Sequence, residues 1–125
     1  MSYDYIRVDD VIAIHADQIE RYGGGHGLRD PGLLEAALFR PQTGYYPSLT
    51  DEAAAHWESL SQNHRFVDGN KRTAFASAYV FLLINDLRIT ASDEDAQDFL
   101  LGLYETNQLN FETLRIWLLD STKPV

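Results

Sequence analysis

The chain has 125 residues, 45% of them hydrophobic, which suffices for one compact domain with a core of its own. Its formal net charge of −9, with a pI of about 4.7, argues against a nucleic-acid backbone or an anionic membrane as the main partner. It has no cysteine, which removes disulfides, thiolate metal sites and cysteine nucleophiles together. The acidic start MSYDYIRVDD carries no hydrophobic signal segment, so a soluble, cytoplasmic protein is the expectation.

No repeat, low-complexity tract or linker divides the sequence, and residues 1–125 read as a single domain. Asp9 and Asp10 can cap a first helix from about Val11 to Tyr22, with Val11, Ile12, Ile14, His15 and Ile19 on or near one face. Gly23 to Gly25 end it. Asp30 followed by Pro31 is an N-cap with proline at the first helical position, opening a short helix to about Phe39 that Pro41 stops. Gln42 to Leu49 reads as an irregular loop or a small hairpin. Thr50 or Asp51 caps a helix to about Asn63, with Ala54, Trp57 and Leu60 inward.

The segment His64-Arg65-Phe66-Val67-Asp68-Gly69-Asn70-Lys71-Arg72-Thr73 comes next. It joins a general-base candidate, a carboxylate, a turn glycine, an amide and two adjacent cations. A base beside a pocket for a polyanion is what transfer of a phosphate-containing group to a hydroxyl requires. From Asn70 to Leu87 the chain is helical in pattern and apolar on nearly every face between Ala74 and Ile84, the pattern of a helix buried on most sides. Asn70 suits the cap of that helix, and Gly69 suits a turn where backbone approaches a ligand. The first amides of a helix have no internal acceptor and lie at the positive end of its dipole, so phosphate is a natural ligand there. Lys71 and Arg72 add full charges. On a chain with only 10 Lys plus Arg, two adjacent cations at this turn favour phosphate contact over a solvated pair.

Beyond this helix, Leu87 to Thr90 reads as a short extended piece. Ser92 and Asp95 resemble a capping box for a helix to about Tyr104, and a last helix runs from about Asn110 to Leu119. The fold class expected is all-α, a compact bundle of about six helices around a buried central helix, with little or no strand. His15, His56 and Trp57 fall on helices and read as structural. The glycine loop from Gly23 to Gly27, with His26, lacks the strand–loop–helix setting of a phosphate loop and reads as a flexible connection.

The sequence His-x-Phe-x-Asp-Gly-Asn-Lys-Arg, from His64 to Arg72, resembles the signature of the Fic/Doc superfamily, and of its Doc (death on curing) toxin branch in particular. The Fic pattern has a second glycine where this chain has Lys71 and a final arginine where it has Phe75. Both departures are those of the Doc branch. The likeness extends to Arg21-Tyr22-Gly23-Gly24, Asp30-Pro31-Gly32 and Arg40-Pro41-Gln42, and so covers nearly the whole chain.

The resemblance implies a specific chemistry. Fic enzymes move AMP from ATP to a protein hydroxyl; Doc-like proteins are held to bind ATP the other way round and to pass on its γ-phosphate. The residues implied are His64 as base, Asp68 as a Mg²⁺ ligand through the ATP phosphates, and Gly69, Asn70, Lys71 and Arg72 as the phosphate site. A lysine at position 71 fills the space that a glycine leaves open and attracts phosphate as a point charge. A Doc-like reading further implies a hydroxyl of elongation factor Tu as target, arrest of translation, and an antitoxin as partner. Nucleotidyl (AMP) transfer and a catalytically silent binding module are the alternatives. Tyr45 and Tyr46 fall where the family carries a flap that aligns the target peptide; packing is an equal reading of them.

Overall fold

The structure is a computed structural model and describes residues 3–62 and 69–125. Six α-helices make up most of it: α1 (Val8–Tyr22), α2 (Pro31–Phe39), α3 (Leu49–Ser61), α4 (Asn70–Ile84), α5 (Asp93–Glu105) and α6 (Phe111–Ser121). The two short strands, β1 (Leu87–Ile89) and β2 (Thr122–Pro124), pair antiparallel with Arg88 opposite Lys123. The all-α expectation therefore holds, with one ribbon added.

Local chemistry sets most helix ends. The Asp30 carboxylate accepts the Leu33 N–H at 3.0 Å, Ser92 Oγ accepts the Asp95 N–H at 3.1 Å, and Asn110 Oδ1 accepts the Thr113 N–H at 3.0 Å. Each satisfies a first-turn amide that its helix leaves unpaired. Two starts differ from the sequence reading. α1 begins at Val8, and Asp10 acts from its third position, accepting the Arg7 N–H at 2.9 Å. α3 is capped by Ser48, whose hydroxyl accepts the Asp51 N–H at 3.2 Å, whereas Asp51 itself holds Arg115 Nε at 2.9 Å. An acidic side chain steadies a helix start from the cap or from the first turn, so sequence alone leaves the register open by a turn. Pro41 ends α2 as expected, but the chain winds on through a 3-10 turn, Arg40–Thr43, because proline near the start of a turn needs no N–H partner. No hairpin forms in 42–49.

The deepest helix is α3, packed between α2, α4 and α6. Ala53, Ala54, Ala55 and Trp57 are fully buried and Leu60 nearly so. Three successive alanines let neighbouring backbones approach on every side. The helix expected to be buried on most sides, α4, instead buries one stripe, Thr73, Ala74, Ser77, Ala78, Phe81 and Leu82, against α3 and α1. Tyr79, Leu83 and Ile84 stay about 40% exposed. The N-terminal segment is fastened at two points. Asn85 exchanges two 2.8 Å hydrogen bonds with the Asp4 backbone, and Tyr5 Oη donates to Glu52 at 2.6 Å while its ring stacks on Phe81. Burial, and then that bond, push the Tyr5 pKa up to about 12.

His56, on α3, lies wholly inside against Phe81 of α4, and burial drives its pKa down from 6.5 to about 4. Among the described residues its Nε2 has no hydrogen-bond partner. Folding thus holds it neutral, while the unfolded chain takes up a proton as pH falls below about 6.5. The stability that neutral His56 permits is fully present above that value and is lost between about 6.5 and about 4. The loss expected is about 3 kcal/mol, at ~1.4 kcal/mol per pH unit. Urea midpoints at about pH 7 and about pH 4.5 measure it. His56→Leu should flatten the fall, and an equally steep fall in that variant would remove His56 as its cause.

Candidate functional site at the start of α4

The described part of the motif is the turn into α4. Gly69 is its N-cap, with φ 75° and ψ 17°, a left-handed conformation open to glycine and strained for residues with a Cβ. Asn70, expected as cap, is instead the first helical residue. The helix's own ladder begins with the Thr73 N–H donating to the Gly69 carbonyl at 3.0 Å, so the ladder gives the amides of Asn70, Lys71 and Arg72 no acceptor. His64 and Asp68 lie outside the described residues.

Gly69 also packs close against α1. A Cβ placed on it would lie 3.0 Å from Ile19 Cδ1, 3.3 Å from Arg72 Nη2 and 3.7 Å from His15 Nε2. His15 is buried, as its apolar helix face suggested, but its place is beside the motif turn.

The two cations part company. Arg72 turns to the end of α1, donating from Nη2 to the Gly23 carbonyl at 3.0 Å and from Nη1 to the Gln18 carbonyl at 3.4 Å, with its guanidinium 5.5 Å from the Tyr22 ring centre. A guanidinium at a helix C-terminus complements the dipole there. Lys71 turns the other way, to α5, where its ammonium sits 4.1 Å from the centre of the Tyr104 ring. Between them opens a cleft of about 390 Å³ lined by Gln18, Tyr22, Lys71, Arg72, Phe75 and Tyr104, among others. Phe75, at the place of the final Fic arginine, supplies an aromatic wall and rests on Trp57, ring centres 5.2 Å apart.

The arrangement suits an anion: a left-handed glycine, the amino end of a 15-residue helix and an exposed ammonium converge at one rim. Among the described residues, no three His, Asp or Glu side chains gather as a metal site. Magnesium needs only one or two carboxylates when phosphates complete its shell.

Tyr45 and Tyr46 have separate fates. Tyr46 is built in: Arg40 Nε donates to its hydroxyl at 2.8 Å, Phe111 packs on its ring, and Arg40 Nη1 reaches Glu58 at 2.7 Å. Tyr45 is 81% exposed and touches Tyr46 edge-on. Sequence reasoning missed Tyr104 and the proximity of His15. Tyr22 stood inside the quoted flank Arg21-Tyr22-Gly23-Gly24, a usable signal, whereas nothing near Tyr104 in sequence points to Lys71.

The family model described as the Fic/DOC family matches residues 5–82. The chain is 42% identical over 117 residues to Toxin Doc of Mycolicibacterium smegmatis, covering 89% of this chain and 88% of that protein. It is 38% identical over 94 residues to Protein kinase doc of Escherichia phage P1, covering 72% of this chain and 75% of the relative. Among the described residues, no helix is long and apolar enough to cross a membrane.

Proposed function

The chain belongs to the Fic/DOC family, and on that premise we propose that it is a Doc-like toxin, a protein Ser/Thr kinase that moves the γ-phosphate of ATP to a protein hydroxyl. The observation that carries the reading is the start of α4, where the left-handed Gly69 turn and the Lys71 side chain stand at one helix end directly after His64 and Asp68 in sequence. In the step proposed, the target hydroxyl oxygen attacks the γ-phosphorus, its proton passes to His64, and the bond to the ADP oxygen breaks. Gly69, Asn70 and Lys71 hold phosphate oxygens. Arg72 adds positive potential at the same helix end. Asp68 would hold Mg²⁺, which neutralises charge on the phosphates when bound.

The side chains present at positions 71 and 75 support phosphoryl rather than nucleotidyl transfer. Lys71 occupies space that a glycine would leave to an α-phosphate, and Phe75 offers no cation to grip a terminal phosphate away from the base. The names of the two relatives support the toxin and kinase readings. With them comes an antitoxin as partner, a cytoplasmic place of action, and a hydroxyl of elongation factor Tu as the target to try first.

Incubation of elongation factor Tu with the protein, ATP and Mg²⁺, with label in the α- or γ-position, tests the reading. The expected result is label from the γ-position only and a gain of about 80 Da, one phosphoryl group. Label from the α-position with an AMP-sized gain would replace the kinase by a nucleotidyltransferase and leave His64 as base. No modification of any lysate protein would favour the silent binding module.

A further inference from the structure

α5 lies beyond the 5–82 span of the family match, yet one of its side chains reaches both borders of the motif segment. The Tyr104 ring faces the Lys71 ammonium at 4.1 Å, at the second residue of α4. Its hydroxyl is buried beside that of Ser61, the last residue of α3, and neither closes a hydrogen bond of good geometry among the described residues. Chain positions 62–69 run between those two helix ends. The half-buried ring thus stands on the α5 side of the cleft, with Arg72 and Tyr22 on the α1 side.

An isolated lysine side chain samples many rotamers, and ordering it costs conformational entropy. An aromatic face under the ammonium holds it near one of them without neutralising its charge, as an acidic partner would. The ammonium then remains available to an anion at the α4 start.

We propose that Tyr104 is a positioning residue of the phosphate site, its ring holding Lys71 over the mouth of the cleft while its hydroxyl end abuts the last turn of α3. The proposal deepens the kinase reading and rests on it for the role of Lys71. The ring is what matters, since the hydroxyl makes no strong bond.

The test is a double-mutant cycle on ATP·Mg²⁺ affinity with the parent protein, Tyr104→Leu, Lys71→Ala and the double variant, together with Tyr104→Phe. Leucine keeps apolar bulk and removes the π face; phenylalanine keeps the face and removes the hydroxyl. Tyr104→Leu is expected to weaken ATP binding about two- to fivefold, Tyr104→Phe to bind as the parent does, and Tyr104→Leu to add nothing once Lys71 is alanine. An equal loss in both backgrounds would overturn the proposal, because Tyr104 would then act without Lys71. The Lys71 ε-methylene proton shift gives a readout free of nucleotide. Ring current should move it upfield in the parent and in Tyr104→Phe and release it in Tyr104→Leu. An ordinary shift in the parent overturns the proposal even if Tyr104→Leu fails to fold. Should the parent bind no ATP, the kinase reading falls, and the proton shift still decides whether Tyr104 holds Lys71.

Discussion

His64→Ala is expected to slow phosphoryl transfer by about 10²- to 10⁴-fold, the usual cost of losing a positioned base. ATP affinity should stay close to that of the parent. The groups proposed to hold phosphate, Gly69, Asn70 and Lys71, belong to the start of α4, whose turn lies against Ile19 and His15. The hydroxyl nucleophile must lose its proton as the new bond to phosphorus forms, and of the four histidines only His64 belongs to the motif. His15 and His56 are buried, and His26 is in the loop after α1, beside Glu20. Initial rates with saturating ATP, set beside a binding titration, separate the two quantities. Parent-like transfer by the alanine variant would remove His64 as base; a matching collapse of ATP affinity would make it a binding residue instead.

Trp57→Ala should cost about 3–5 kcal/mol, as expected for deleting a large buried aromatic ring. That is a large share of the ~5–15 kcal/mol typical of a whole domain. Trp57 is fully buried on α3 and contacts rings from three other helices: Phe75 of α4 at 5.2 Å, Trp117 of α6 at 5.8 Å and Phe99 of α5 at 6.4 Å. Phe99 in turn stacks on Trp117 at 4.7 Å, so the cavity would open where α5 is fastened to the bundle. α5 carries Tyr104, and Phe75 lines the cleft, so loss of the indole should loosen the site as well as the fold. Urea unfolding gives the stability change. Trp57→Phe should restore most of it: the indole Nε1 has no hydrogen-bond partner among the described residues, so only packing is at stake. An alanine variant as stable as the parent would show that the bundle closes over the gap.

The caps Asp30 and Ser92 were legible because a cap is chosen by side chains within three residues of it. The inward set Ala54, Trp57 and Leu60 was legible because helical spacing puts those positions on one face. The expected α4 cap was off by one residue, since Gly69 and Asn70 both suit a helix start and only the left-handed backbone at Gly69 distinguishes them. The burial of α4 was overestimated for a different reason. An apolar run reports which faces tolerate burial, and the bundle supplied neighbours for one stripe only, leaving Tyr79, Leu83 and Ile84 partly open.

Residue order was enough to establish the motif from His64 to Arg72 and the helical class, because each rests on neighbours in sequence. Packing alone chose the rest. β2 exists because residues 122–124 find β1 some 35 positions away, at Leu87–Ile89. Lys71 and Arg72 are adjacent and alike in charge, yet one is held by Tyr104 of α5 and the other by carbonyls at the end of α1. Successive helical residues point about 100° apart. Their long side chains end on whichever ring or carbonyl the assembled bundle brings within reach.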